Sequence, residues 1–127
     1  MSNIKKFNLT VDNLINDLIL VFPDYEYIKL FKEKFNILSK YNARKSIEYF
    51  KNTVYSFNNE IKNKNADFFL KKDYKNDITV VEENKEWALD QVLNLKNLWQ
   101  ELDDENKDII WTYFNILIKL TELEYKL

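Results

Sequence analysis

The most apolar stretch of the chain is IIWTYFNILIKL, residues 109–120. Apolar side chains stand at nearly every position, so on a helix they would point in most directions rather than along one stripe. The run is too short for a membrane span. Its polar members are Thr112, Asn115 and Lys119. The pattern predicts a core helix over about 104–124, with the other helices packed around it.

Outside this stretch, apolar residues recur every three or four positions, which is the spacing of one helix face. The spacing predicts four further helices, over about 8–22, 25–40, 43–63 and 83–101, and a short helical turn over 67–71. Pro23 ends the first helix, because a residue before proline avoids helical backbone. The sequence therefore predicts an all-α fold, with residues 1–127 as one domain: a compact bundle of about five helices with the C-terminal helix at its centre.

The same spacing predicts which side chains form the core. The expected core residues include Leu9, Leu14 and Leu18 of the first helix, Ile28, Phe31, Phe35 and Leu38 of the second, Ile47, Phe50, Val54, Phe57 and Ile61 of the third, and Phe68 and Leu70 of the turn. Asn8 or Thr10 is expected to cap the first helix and Asp24 the second.

Glycine, histidine and cysteine are all absent from the 127 residues. The glycine loops that bind phosphates and dinucleotides are therefore excluded, as are His- and Cys-based nucleophiles and zinc sites. We expect no enzyme activity, no cofactor and no metal. The codons of an AT-rich genome would also produce this composition, which is rich in Lys, Asn, Ile, Tyr and Phe. Without glycine, helices are expected to end at Asn, at Pro or by fraying.

One cluster of acidic residues, Asp103 to Glu105 with Asp108 beyond, precedes the 109–120 stretch. Several carboxylates could bind a hard cation, but the run lies where a helix is expected to begin. Acidic groups stabilise that end of a helix through its dipole. We therefore predict that Asp103 or Asp104 caps the last helix.

Charge is divided unevenly along the chain. Residues 1–75 carry 14 Lys and Arg against 9 Asp and Glu, whereas residues 76–127 carry 5 against 12. We expect the two parts to attract each other within one fold. The alternative is a basic surface for an anionic partner.

The basic segment 27–75 also interleaves lysines with tyrosines, a combination that can bind phosphates and stack on bases. This alternative predicts a nucleic-acid-binding accessory protein. Its contacts would converge on one face and are Lys40, Arg44, Lys45, Lys71 and Lys72. A solvated lysine face with half-buried tyrosines would give the same sequence pattern.

The leading prediction is a non-enzymatic interaction protein, either a homo-oligomer or an adaptor that binds another protein. It requires an exposed apolar patch larger than a few hundred Å². The candidate interface residues are Trp87, Phe68 and Tyr74. Aromatic side chains of this kind often anchor interfaces, although packing in the core also accounts for them.

Two blocks resemble a family. The first is Phe68-Phe69-Leu70 with Asp73-Tyr74, and the second contains Leu98-Trp99, Leu102, Glu105-Asn106-Lys107, Ile110-Trp111 and Tyr113. Together they resemble small uncharacterised all-helical proteins of nucleocytoplasmic large DNA viruses. The resemblance covers about a third of the chain and implies a viral accessory or virion protein. With no signal peptide expected at the N-terminus, it implies an intracellular location, in the host cytoplasm, the nucleus or the virion.

Overall fold

A computed structural model describes residues 1–72 and 95–127, and within these ranges the chain is helical and has no strand. The elements are α1 (Asn3–Val21), α2 (Glu26–Tyr41), α3 (Lys45–Thr53), a 3-10 turn (Tyr55–Phe57), α4 (Asn58–Lys62), α5 (Ala66–Lys71), a helical stretch over residues 95–101 that we call α6, and α7 (Asp104–Tyr125). The predicted all-α class is confirmed. Part of the helix predicted over 83–101 lies outside the described residues.

α7 begins where the acidic run predicts. Oδ1 of Asp103 accepts a hydrogen bond from the backbone N–H of Asn106 at 2.8 Å, which makes Asp103 the N-cap. Asp104 and Glu105 occupy the first turn, where they complement the helix dipole.

The main core lies where α1 and α7 pack together. It contains Phe7, Trp111, Leu117 and Ile118, with Ile47 and Phe50 of α3 and Ile61 of α4. The C-terminal half of α1 lies beside the N-terminal half of α7. Two contacts show this: Asp17 bonds Tyr113, and Val21 and Asn106 line the same small cavity. The two longest described helices are therefore antiparallel.

A second core cluster, Ile15, Ile28, Phe35 and Leu98, joins α1, α2 and α6. α2 packs mainly on α1 and α3, whereas α7 packs on α1, α3 and α4. α7 is also open to solvent along one side, where Ile109, Ile116 and Leu123 are exposed. Away from this line the apolar residues of α7 are buried or half-buried, as predicted for a helix covered on most sides.

The helix predicted over 43–63 is interrupted. Three side chains bond to backbone carbonyls near the break: Thr53 to Tyr49, Ser56 to Thr53 and Asn58 to Tyr55. Such bonds compete with the helical ladder, and residues 55–57 take a 3-10 turn. The predicted apolar seam survives the break, because Ile47, Phe50 and Ile61 are buried and Val54 and Phe57 are half-buried.

The first two helix starts also differ from the prediction. α1 begins five residues earlier than expected, because Ser2 caps it by accepting the N–H of Lys5 at 3.1 Å. Phe7 therefore enters the core, and Leu9, which was predicted there, is exposed. Asp24 does not cap α2; the N-cap position is Tyr25, without a side-chain hydrogen bond.

Two lysines occupy the backbone conformation that glycine usually provides at a helix end. Lys64 follows α4 with φ 53° and Lys126 follows α7 with φ 57°. In both places the next N–H bonds five residues back, from Asn65 to Glu60 and from Leu127 to Glu122. These are Schellman-type ends built without glycine, an outcome that the sequence did not predict.

Candidate interaction surface

α2 presents two apolar faces. The inner face carries Ile28 and Phe35, which are seven residues apart, lie on the same side of the helix and are buried against Ile15 and Leu98. This face attaches α2 to the bundle.

The second face, which we call the α2 outer face, is exposed. It consists of Leu30, Phe31, Ile37, Leu38 and Tyr41, with exposed fractions of 42, 56, 57, 39 and 88%. Leu30, Ile37 and Tyr41 lie on one line along the helix together with Lys34, and Phe31 and Leu38 lie beside that line. The centre of this face is roughly a third of a turn from the inner face. α2 thus exposes a second apolar stripe, which none of the helices in residues 1–72 and 95–127 covers.

The exposed apolar area of the α2 outer face lies in the upper part of the range found for the largest apolar patch on a monomer. A large side chain offers roughly 200 Å², so these five residues together expose on the order of 500 Å². The largest patch on a typical monomer is about 300–600 Å², and patches of this size often bind partners.

Polar residues line one edge of the α2 outer face. They are Glu26, Glu33 and Lys40, whereas Lys29 and Asn36 lie further round the helix, away from the outer face. Glu26 and Lys29 form a local ion pair at 3.7 Å. Glu33 and Lys40 are exposed, seven residues apart and therefore on the same side of the helix. The surface has the arrangement of an interface, with an apolar centre and a charged rim.

Sequence periodicity placed Phe31 and Leu38 in the core and overlooked Leu30, Ile37 and Tyr41. The placement of Phe31 and Leu38 is wrong, because both are exposed. The available signal was that apolar residues cover more of α2 than one face can bury.

The predicted interface residues lie elsewhere. Phe68 is half-buried in an aromatic cluster, with its ring centroid 5.7 Å from that of Phe57 and 5.3 Å from that of Phe69. Phe68 thus packs on aromatic neighbours while part of its ring stays exposed, and its place at an interface stays a prediction. Trp87 and Tyr74 are outside the described residues.

The five predicted nucleic-acid contacts separate into two places. Arg44 bonds Glu124 near the C-terminal end of α7 at 3.0 Å, whereas Nζ of Lys72 lies 4.9 Å from the ring centre of Phe57. Phe57 packs on Phe69, which in turn contacts Trp111 near the start of α7. Trp111 and Glu124 are about 20 Å apart along the helix. Lys40 and Lys45 lie near Arg44 in the chain and are exposed, as is Lys71 in α5. The structure does not bring the two sets together.

The basic and acidic parts of the chain meet inside the fold. Among the described residues, three ion pairs join them: Arg44 with Glu124 at 3.0 Å, Lys62 with Glu122 at 3.6 Å and Lys64 with Asp108 at 3.3 Å. These pairs support the expectation that the two parts attract each other.

In the part of the chain that the structure describes, three tyrosine hydroxyls have raised pKa values. In Tyr113, a hydrogen bond to Asp17, with burial second, raises the pKa to about 12. Burial raises the pKa of Tyr27 to about 12. The pKa of Tyr25 is raised by desolvation and by its hydrogen bond to Glu101. All three are therefore protonated at neutral pH, and none is a base or an activated nucleophile.

A small cavity lies between α1 and α7, beside the Asp17–Tyr113 contact. It is lined mainly by apolar residues, including Leu14, Leu18 and Ile110, and its volume of about 20 Å³ has room for about one water molecule. A substrate-sized pocket is more than ten times larger.

The described residues contain neither a cluster that could hold a metal ion nor a helix that could span a membrane. Within residues 1–72 and 95–127, no three acidic side chains come together as a metal site would require. None of the helices in these ranges has the length and apolarity to cross a bilayer.

Comparison of the chain with family models, curated proteins and solved structures finds no match. The resemblance to proteins of large DNA viruses therefore stays a prediction.

Proposed function

We propose that this chain is a non-enzymatic interaction or assembly protein that binds a helix of a protein partner through the α2 outer face. One observation carries the proposal: Phe31, Ile37 and Tyr41 are each more than half exposed on a helix whose other apolar face is already buried. Uncovering such a surface in water is unfavourable by about 25 cal/mol per Å², so a partner that covers it gains free energy.

The shape of the surface supports a helical partner. The central line Leu30, Lys34, Ile37 and Tyr41 repeats every three or four residues, which is the spacing that interlocks with the side chains of another helix. Exposed Tyr and Phe side chains are also frequent interface anchors.

The resemblance to proteins of large DNA viruses gives this proposal its setting. A viral accessory protein or virion-associated adaptor acts on other proteins inside the infected cell, and an interaction surface without catalytic groups suits that role.

The test is a photo-crosslinking side chain placed at Ile37, on the outer face, or at Asn36, on the far side of the same helix. In an extract of cells that make the protein, we expect Ile37 to give one discrete protein adduct and Asn36 to give none. A Phe31→Glu substitution in the same chain should abolish the adduct. Equal labelling from both positions, or no adduct from Ile37, would contradict the proposal.

A second candidate function, nucleic-acid binding, is favoured by a separate observation. Tyr41 and Tyr49 are 88 and 58% exposed, and the exposed Lys40 and Lys45 accompany them where α2 leads into α3. Aromatic rings and lysines together suit a single-stranded nucleic acid. Binding of a fluorescent single-stranded oligonucleotide would then weaken steeply with salt.

The matched variants for this second candidate are Lys45→Ala, at the α2–α3 junction, and Lys71→Ala, in α5. Only Lys45→Ala should reduce the salt dependence of binding, because Lys71 lies with the other basic set. Absent or salt-independent binding would remove this candidate.

A further inference from the structure

We infer that the partner of the α2 outer face is a second copy of this chain, with the two α2 helices antiparallel about a two-fold axis. This inference rests on the proposed function and names its partner. It follows from the symmetry of the face, from its charges and from its area.

The apolar and charged parts of α2 share nearly the same midpoint. The central line runs from Leu30 to Tyr41, so its middle lies between Phe35 and Asn36. The exposed rim charges Glu33 and Lys40 have their midpoint one residue further along, a displacement of about 1.5 Å. A two-fold axis at this level of α2 therefore brings the two apolar lines into contact and also pairs the opposite charges on the rim.

About that axis the face complements itself. Leu30 of one copy lies opposite Tyr41 of the other, and the central part of each line covers that of its partner. In an antiparallel pair the same edge of each helix meets, so Glu33 of one copy lies beside Lys40 of the other. The two-fold axis generates a second, identical pair between Lys40 of the first copy and Glu33 of the second. In a parallel pair the two-fold axis would place this charged edge on opposite sides of the interface, so Glu33 and Lys40 of the two copies would not meet.

The area indicates a weak dimer. Two faces on the order of 500 Å² each bury about 1,000 Å², which is near the lower limit for a specific interface. Lys34 lies on the central line, and a charge there further limits the affinity. We therefore expect dissociation in the micromolar range.

The first test measures the mass of the purified full-length chain by sedimentation over a range of concentrations. We expect one chain at high dilution and two chains at high concentration. Phe31→Glu and Ile37→Glu should each raise the dissociation constant at least tenfold, whereas Asn36→Glu, which adds the same charge on the far side of α2, should leave it unchanged. All four proteins should give the same helical circular dichroism, since the substituted positions are exposed.

Orientation is tested by disulfide crosslinking, which the natural absence of cysteine makes clean. Leu30→Cys mixed with Tyr41→Cys should form a mixed dimer under mild oxidation, and neither variant should crosslink to itself. In the antiparallel arrangement identical positions are about 16 Å apart along the axis, beyond the reach of about 7 Å for a disulfide. Self-crosslinking of each variant without a mixed product would overturn the orientation.

Charge provides an independent check on the same contact. Glu33→Lys and Lys40→Glu should each weaken the dimer several-fold, because each places like charges together. The double variant should recover the original affinity. Single variants that bind as well as the original chain would contradict the antiparallel pairing.

The outcomes separate this inference from the proposed function. A chain that stays monomeric at every concentration, while crosslinking at Ile37 still yields one discrete foreign adduct, overturns self-pairing alone. A dimer that Phe31→Glu and Ile37→Glu do not weaken places the contact elsewhere and also overturns it. Failure of both the dimer and the Ile37 adduct overturns the inference and the proposed function together.

Discussion

Phe31 and Phe35 lie about one turn apart on α2, Phe31 on the outer face and Phe35 on the inner face. Phe35 is 8% exposed and packs with Ile15 and Ile28, whereas Phe31, one turn earlier, is 56% exposed. We predict that Phe35→Ala destabilises the monomer by about 3 kcal/mol. Truncating a buried phenylalanine costs about 3–5 kcal/mol, and the better helix propensity of alanine returns about 0.5 kcal/mol.

The same substitution at Phe31 should have a much smaller effect. Less than half of its surface is buried in the monomer, so the lost transfer free energy is about 1 kcal/mol. Alanine again returns about 0.5 kcal/mol through helix propensity. The net destabilisation by Phe31→Ala should therefore stay below about 1 kcal/mol.

Urea unfolding followed by far-ultraviolet circular dichroism measures both values. The protein must be dilute enough to be monomeric, because association adds to the apparent stability. Equal losses from the two variants, or a larger loss from Phe31→Ala, would refute the assignment of the inner and outer faces. At high concentration the original chain should gain stability that Phe31→Ala lacks.

Three further substitutions test contacts around α7 by the same unfolding measurement. Asp103→Ala removes the N-cap and should cost about 1 kcal/mol; no change would mean that the cap is not used. Tyr113→Phe removes the hydrogen bond to Asp17 and should cost about 1 kcal/mol at neutral pH, discounted because the ring is only half-buried. The pKa of Tyr113 is raised from 10.0 to about 12, so the hydroxyl stabilises the fold fully below pH 10, and this contribution is lost as pH rises towards 12. The original chain should therefore lose stability more steeply than Tyr113→Phe in that range, and parallel pH curves would contradict the assignment. Arg44→Ala breaks the surface pair with Glu124 and should cost less than about 1 kcal/mol, with the difference disappearing at about 1 M salt; a difference that persists there would exclude a screened ion pair.

Local features of the sequence predicted α7 and its start well. Asp103 caps α7 by accepting a hydrogen bond from the N–H of Asn106, only three residues further along the chain. The dense apolar run that follows is typical of a helix buried on most sides. Pro23 likewise marks the end of α1, which stops at Val21. Each of these signals depends only on neighbours in the chain.

The faces of α2 could not be predicted in the same way. Apolar residues cover so much of this helix that the spacing of Phe31 and Leu38 fits the core as well as that of Ile28 and Phe35 does. The positions of Ile15 on α1 and Leu98 on α6 decide which face is buried. The candidate surface is therefore a tertiary result, which sequence periodicity cannot supply.

The surroundings of the predicted site residues likewise depend on packing. Phe68 was predicted to be an interface residue, and its ring packs on those of Phe57 and Phe69; its place at an interface stays a prediction. The separation of Lys72 from Arg44 depends on where α3 and α5 pack along α7, which no local pattern encodes.

Because α1 packs on α7, the main core can form during synthesis only after both helices have been made. Asp17 is made 96 residues before Tyr113, its partner on α7. At about 5–20 residues per second, that interval lasts about 5–20 seconds. Throughout it Phe7 and Leu14 have no α7 to pack against, so this core cannot close until the α7 segment has been made. During that interval the nascent α1 lacks the helix that covers most of its buried face.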